Sequence, residues 1–162
     1  MPTTYTANCL TTRYYEVLHN HTQVGTLAYP KWYSNLAVIT LHTGEKLTTV
    51  KQSIWKNTIH VVHNGITVMV CTTSWKGITK IIVQGTEAVY YIKNRSIYHN
   101  NYVLESADKE ELIRIKHKYN YKTFAYNYEL TTTHYLEDSV HKLALLIITL
   151  YYVHNNLSAT SF

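Results

Sequence analysis

The sequence predicts a mainly β protein: an antiparallel closed barrel of about twelve strands, built of successive hairpins, with a buried apolar C-terminal helix through its centre. Three observations carry this expectation. Aromatic corners recur at an even spacing, turn signals fall midway between them, and the chain closes on a stretch without charge.

The aromatic corners are "KWYSN" at Trp32, "IWKNT" at Trp55, "SWKGI" at Trp75, "IYHNN" at Tyr98 and "NYKTF" at Tyr121, separated by 23, 20, 23 and 23 residues. The turn signals are "LHNHTQ", "HTGEK", "HNGI", "QGTE" and "SADKE". Asn64–Gly65 is the strongest of them, because both residues tolerate the positive φ of a tight hairpin turn. Each interval then holds two strands of about six to eight residues. "YYEVL", "LAVITL", "ITVMVC", "ITKIIVQ" and "EAVYYIK" are rich in β-branched and aromatic residues, as strands are. "LIRIKHK" alternates, with Ile113 and Ile115 on one face and Arg114, Lys116 and Lys118 on the other. "FAYNYEL" puts Phe124, Tyr126, Tyr128 and Leu130 on one face. Five hairpins between about Tyr14 and Lys118, a strand at 122–131 and a first strand at 3–10 bring the total to about twelve. That many antiparallel strands in one domain, spanning 1–162, must stack as two sheets or close into a barrel.

The terminal stretch "LEDSVHKLALLIITLYYVHNN" reads as a helix over about 138–155, with Asp138 or Ser139 as N-cap and Asn155–Asn156 as its stop. Leu143 to Val153 carry no charge and form no polar stripe, so this helix is buried in protein or in lipid. A span needs about 20 largely apolar residues. This run is shorter, and no cluster of lysines or arginines flanks it. A helix inside a barrel meets apolar side chains on every side, and that setting is expected. A tail anchor using 140–157 is the competing reading.

Twelve strands in hairpins followed by an all-apolar C-terminal helix resemble the tubby C-terminal-like superfamily, which includes tubby domains, LURP-one-related proteins and phospholipid scramblases. The resemblance runs from "YYEVL" through "LALLIITLYY", and "YPKWYS", "WKN" and "WKG" look like the aromatic–basic corners of small bacterial members. It implies a barrel wrapped around a hydrophobic helix, and a binding or scaffold module. It carries no catalytic signature, and it transfers no phosphoinositide-binding residue.

Composition agrees with a folded protein. Of 162 residues only 15% are charged, 16 are tyrosines, and the net charge is +5 with no run of lysine or arginine. A mildly basic balance favours anionic partners. Cys9 and Cys71 lack metal or redox spacing and read as reduced thiols; the N-terminus has no secretory signal. The expected location is therefore cytoplasmic, peripheral where the protein meets a membrane.

Ten histidines invite a metal site, but His19 and His21 sit in a turn, and His60 and His63 would point to opposite faces of a strand. Asp138, Ser139 and His141 read as a helix start rather than a triad, and the five glycines are isolated. No enzyme, no cofactor and no metal are expected. Charge placement says more. With tight turns gathered at one barrel end, Glu45, Glu87, Glu105, Asp108, Glu110 and Glu111 lie towards that end. Lys31, Lys51, Lys56, Lys76, Lys93, Arg95, Lys118 and Lys122 lie towards the other, beside Trp32, Trp55, Trp75 and Tyr98. The expected ligand site is this basic-aromatic rim: Lys31, Trp32, Trp55, Lys56, Trp75, Lys76, Arg95 and Lys122, fed by the stripe Arg114, Lys116 and Lys118. An anionic phospholipid headgroup or membrane surface is the expected partner. Single-stranded nucleic acid is the alternative, since aromatic rings interleaved with basic residues also stack bases. In a purely structural role the tryptophans would plug the core and the lysines would snorkel over them.

Overall fold

A computed structural model describes residues 2–11, 13–52, 57–96, 101–133 and 140–160. Among these are twelve strands: β1 (Thr3–Thr11), β2 (Tyr14–His19), β3 (Thr22–Ala28), β4 (Val38–Leu41), β5 (Lys46–Lys51) and β6 (Thr58–His63) in the first half. The second half supplies β7 (Ile66–Thr73), β8 (Thr79–Val83), β9 (Val89–Ser96), β10 (Asn101–Ser106), β11 (Glu111–Asn120) and β12 (Ala125–Thr132), followed by the helix α1 (Val140–Thr160). Every strand pairs antiparallel with its neighbours in sequence, and β1 pairs with β12 to close the barrel. Closure leaves no open sheet edge to pair with another chain.

The hairpin turns follow from their residues. Asn20–His21 and Asn64–Gly65 are two-residue turns in which both residues have positive φ, the geometry that matches strand twist. Gly44 and Lys109 take positive φ in the longer turns at the same barrel end. Bulges in β1–β2, β2–β3, β6–β7 and on both sides of β10 bend the sheet towards closure.

Inward alternation builds the core: Tyr5 and Ala7 face Leu130 and Tyr128 across the closing seam, while Ile113 and Ile115 continue the layer on β11. The lumen is filled by α1. All eleven residues from Leu143 to Val153 are buried, which requires cover on every side of the helix. Thr149, the polar member of that run, donates its hydroxyl to the Leu145 carbonyl at 2.7 Å and so brings no unpaired group into the core. No helix of the described residues is long and apolar enough to cross a membrane.

Two expectations need correction, and a third lies beyond view. The helix does not stop at Asn155–Asn156 but continues to Thr160, because Leu157 is again buried and Tyr29 donates to Asn155 Oδ1 at 3.0 Å. The last strand starts at Ala125 rather than 122. Residues 121–124 form a turn, and Phe124 leaves the inward row of Tyr126, Tyr128 and Leu130 to stand in solvent. The expected caps Asp138 and Ser139 lie outside the described residues.

Helix and wall meet most closely at Gly25 on β3. A Cβ there would sit 2.6 Å from Ile147 Cδ1 and 3.1 Å from the Thr40 carbonyl oxygen. Ile147 can shift its side-chain end, but the β4 backbone is fixed by its ladder. Gly25→Ala is therefore expected to cost about 1–3 kcal/mol, an overpacking penalty read as a lower urea midpoint with an unchanged slope.

Candidate functional site

The alternation of connections gives the barrel two unlike ends. Tight turns and the start of α1 occupy one; the other holds the β1–β2, β3–β4, β7–β8 and β11–β12 connections around the last turns of α1. This second end is organised by Arg13. Its Nε donates to the Tyr29 carbonyl at 3.4 Å, and one terminal nitrogen donates to the carbonyls of Lys31, at 2.7 Å, and Ser34. The guanidinium lies 5.3 Å over the Tyr29 ring. One side chain thus ties the long β3–β4 connection down to the barrel mouth.

That connection carries Lys31, Trp32 and Tyr33. Trp32 meets Tyr33 edge-on at 5.7 Å, and the Lys31 ammonium lies 6.0 Å from the Tyr33 ring. On the β7–β8 turn, Gly77 donates to the Ser74 carbonyl and has positive φ, which presents Trp75 at the tip with Lys76 5.4 Å from its ring. Trp32 is 82% exposed and Trp75 90%. Neither plugs the core. Tyr121, Lys122 and Phe124 stand on the β11–β12 turn, and Lys118 and Lys122 border a groove of about 470 Å³ there.

The other expected site residues are distributed differently. Arg95 is held by Glu105, Nη2 to Oε1 at 2.8 Å, and Lys93 reaches the other oxygen at 3.0 Å. Glu105 sits on the outer wall, closed from solvent by these partners rather than by the core. The Lys93 hydrogen bond first, and then that from Arg95, hold its carboxyl below the usual range against the opposing pull of desolvation. Arg114 makes a two-point contact with Glu111, at 2.8 and 3.0 Å. Lys116 stands opposite Glu129 on β12. Arg95, Arg114 and Lys116 are therefore wall residues, while Lys31, Trp32, Trp75, Lys76, Lys118 and Lys122 share the mouth. Trp55, Lys56 and Tyr98 lie outside the described residues.

Three cavities surround the end of α1. One of about 310 Å³ is bordered by Arg13, Tyr29, Phe124 and His154; one of about 500 Å³ lies over Tyr151, Tyr152 and Asn155; a third of about 500 Å³ runs from Lys76 to Lys93 and Asn156. His154 is held by the Tyr128 hydroxyl at 2.7 Å and packs on Tyr15 at 4.8 Å. Burial first, and the Arg13 charge second, push its pKa down to about 4, so the imidazole is neutral at physiological pH. Cys9 and Cys71 are unbridged, and burial raises both thiols, Cys71 to about 12. No three His, Cys, Asp or Glu side chains among the described residues converge as metal ligands.

Sequence reasoning passed over Arg13 and His154. Arg13 did carry a signal: "RYY" is another aromatic–basic corner, at the first connection, one step before the counted repeat begins.

No protein-family model and no curated protein matches the sequence. Among solved structures the chain is similar to the X-ray structure of an Arabidopsis thaliana protein, AT5G01750, with a TM-score of 0.63 at 9% identity over 97% of this chain and 91% of that one. At that identity the two share a fold: a closed twelve-stranded barrel around a C-terminal helix.

Proposed function

We propose that this protein is a non-enzymatic binding module whose connection-end mouth docks on an anionic phospholipid surface. The observation that carries the reading is the pairing at the rim. Trp32 and Trp75 stand almost fully in water, Trp75 with the Lys76 ammonium over its ring and Trp32 next to Lys31, whose ammonium lies by the Tyr33 ring, and Tyr121 and Phe124 are exposed at the same end. Several large rings exposed together at one end of the barrel mark an interaction surface, where single exposed rings would not. Indole rings beside ammonium groups suit the interface between headgroups and acyl chains. Each lysine near an anionic surface adds about 1 kcal/mol. The LURP-one-like fold agrees with a module of this kind.

Vesicle co-sedimentation tests it. The full chain should bind phosphatidylcholine vesicles containing phosphatidylserine, and bind pure phosphatidylcholine poorly. Removing two lysines by Lys31→Ala with Lys76→Ala should weaken binding at least about tenfold, by the per-lysine contribution. Trp32→Ala with Trp75→Ala should weaken it as well while leaving the thermal midpoint unchanged, since neither ring is part of the core. Equal binding by wild type and variants would overturn the reading. Displacement by single-stranded oligonucleotide but not by anionic vesicles would replace lipid with nucleic acid.

A further inference from the structure

We propose that the cavity between Arg13 and the β11–β12 hairpin binds a small aromatic carboxylate. This goes beyond the docking rim, because it uses none of the rim lysines or tryptophans.

The cavity, about 310 Å³, falls at the lower end of the range for small-molecule sites. Two aromatic walls border it. On one side Tyr15 and Tyr29 pack around His154, at 4.8 and 5.5 Å between ring centres. On the other Tyr119 and Tyr126 meet edge-on at 5.2 Å, with Phe124 beside them. Phe124 is the informative residue. Its φ is 54°, in the left-handed region that bulky side chains avoid, and its ring is 77% exposed. The backbone strain therefore gains no core packing. It closes the β11–β12 turn and, in doing so, holds a ring at the cavity's edge.

Arg13 supplies the charge. Its Nε and one terminal nitrogen are spent on three carbonyls, and among the described residues nothing accepts from the second terminal nitrogen, whose protons can meet a ligand. Among the described residues no carboxylate pairs with it. His154 adds no charge, and its two ring nitrogens lie against the hydroxyls of Tyr128 and Ser158. Among the described residues the lining thus offers one positive charge, no negative one, flat aromatic faces and the polar side chains of Asn35, Asn155 and Ser158. A cation would meet Arg13 with nothing to offset it. A phosphate dianion would call for a second cation. A flat ring bearing one carboxylate satisfies both the walls and the guanidinium.

Calorimetric titration and saturation-transfer NMR on the full chain test this, with 4-hydroxybenzoate and indole-3-carboxylate as probes. Cyclohexanecarboxylate, which keeps the charge without the flat ring, and benzamide, which keeps the ring without the charge, are the controls. Both aromatic carboxylates should bind saturably at one site, and each control at least about tenfold more weakly. Phe124→Gly should lower the affinity while raising the thermal midpoint or leaving it unchanged, because glycine accepts the positive φ and the lost ring was exposed. Arg13→Lys, which keeps the charge but loses the fork, should lower it too. Lys31→Ala with Lys76→Ala should leave aromatic-acid binding intact, which separates this site from the docking rim. Absence of saturable binding by both probes would overturn the proposal, as would equal binding of cyclohexanecarboxylate or an unchanged affinity in Phe124→Gly.

Discussion

Leu146→Asp is expected to abolish the folded state. Leu146 is fully buried at the centre of α1, with buried neighbours on both sides along the helix. An aspartate there places a carboxyl among Leu, Ile and Val side chains with no cation to meet it. A buried charge without a partner costs several kcal/mol, and even its neutral form leaves an unsatisfied polar group. Against a total stability of about 5–15 kcal/mol, together with the lost leucine packing, that is decisive. Far-UV circular dichroism should show loss of the β signal. A variant that kept its fold and lost only membrane association would mean that α1 is an anchor rather than a core helix.

The second large effect is acid destabilisation through His154. In the folded chain burial holds its pKa near 4, whereas the unfolded chain titrates near 6.5. Between those values the unfolded state binds the extra proton, so stability falls as pH falls through this window. The full shift corresponds to about 3 kcal/mol, complete near pH 4. Urea unfolding of wild type and His154→Gln across this window measures it: the wild-type midpoint should drop steeply on acidification and the variant's should stay nearly level. Glu105 adds a loss of its own in both proteins, but at lower pH. Its depressed carboxyl contributes stability that is present above its unfolded value of about 4.5 and lost as pH falls through the folded one. The difference between the two curves at moderately acid pH therefore belongs to His154. Parallel curves would mean that water reaches the imidazole and that the cavity floor is open.

The barrel was legible because its rules are local. Strand alternation, the Asn64–Gly65 turn and a helix without a polar stripe each report burial from a few neighbouring residues. Less was legible where a residue's partner or turn lies outside the simple strand and helix periods. Asn155 looked like a helix stop because asparagine favours helix ends; its role depends on Tyr29, 126 residues away. Arg95 is expected at the rim and Arg114 on the stripe that feeds it; in the structure Arg95 pairs across the strands with Glu105, and Arg114 turns back along its own strand to Glu111. Phe124 fitted the inward row by period alone, but the turn takes the residue that the period would assign to the core. Arg13 and His154 lie 141 positions apart and border one cavity only because the barrel closes through β1 against β12, with β2 on the other side of β1, and α1 fills the lumen.

Amide hydrogen exchange on the full chain in detergent-free buffer, alone and with phosphatidylserine-containing vesicles, separates a core helix from a membrane anchor. Residues 143–153 should exchange only through global unfolding in both conditions, because they form the core of the barrel. Vesicles should slow exchange at the mouth alone, in residues 31–35, 74–78 and 121–124. Fast exchange of 143–153 in buffer that becomes slow only with vesicles would overturn the buried-helix fold and make α1 the element that enters the membrane.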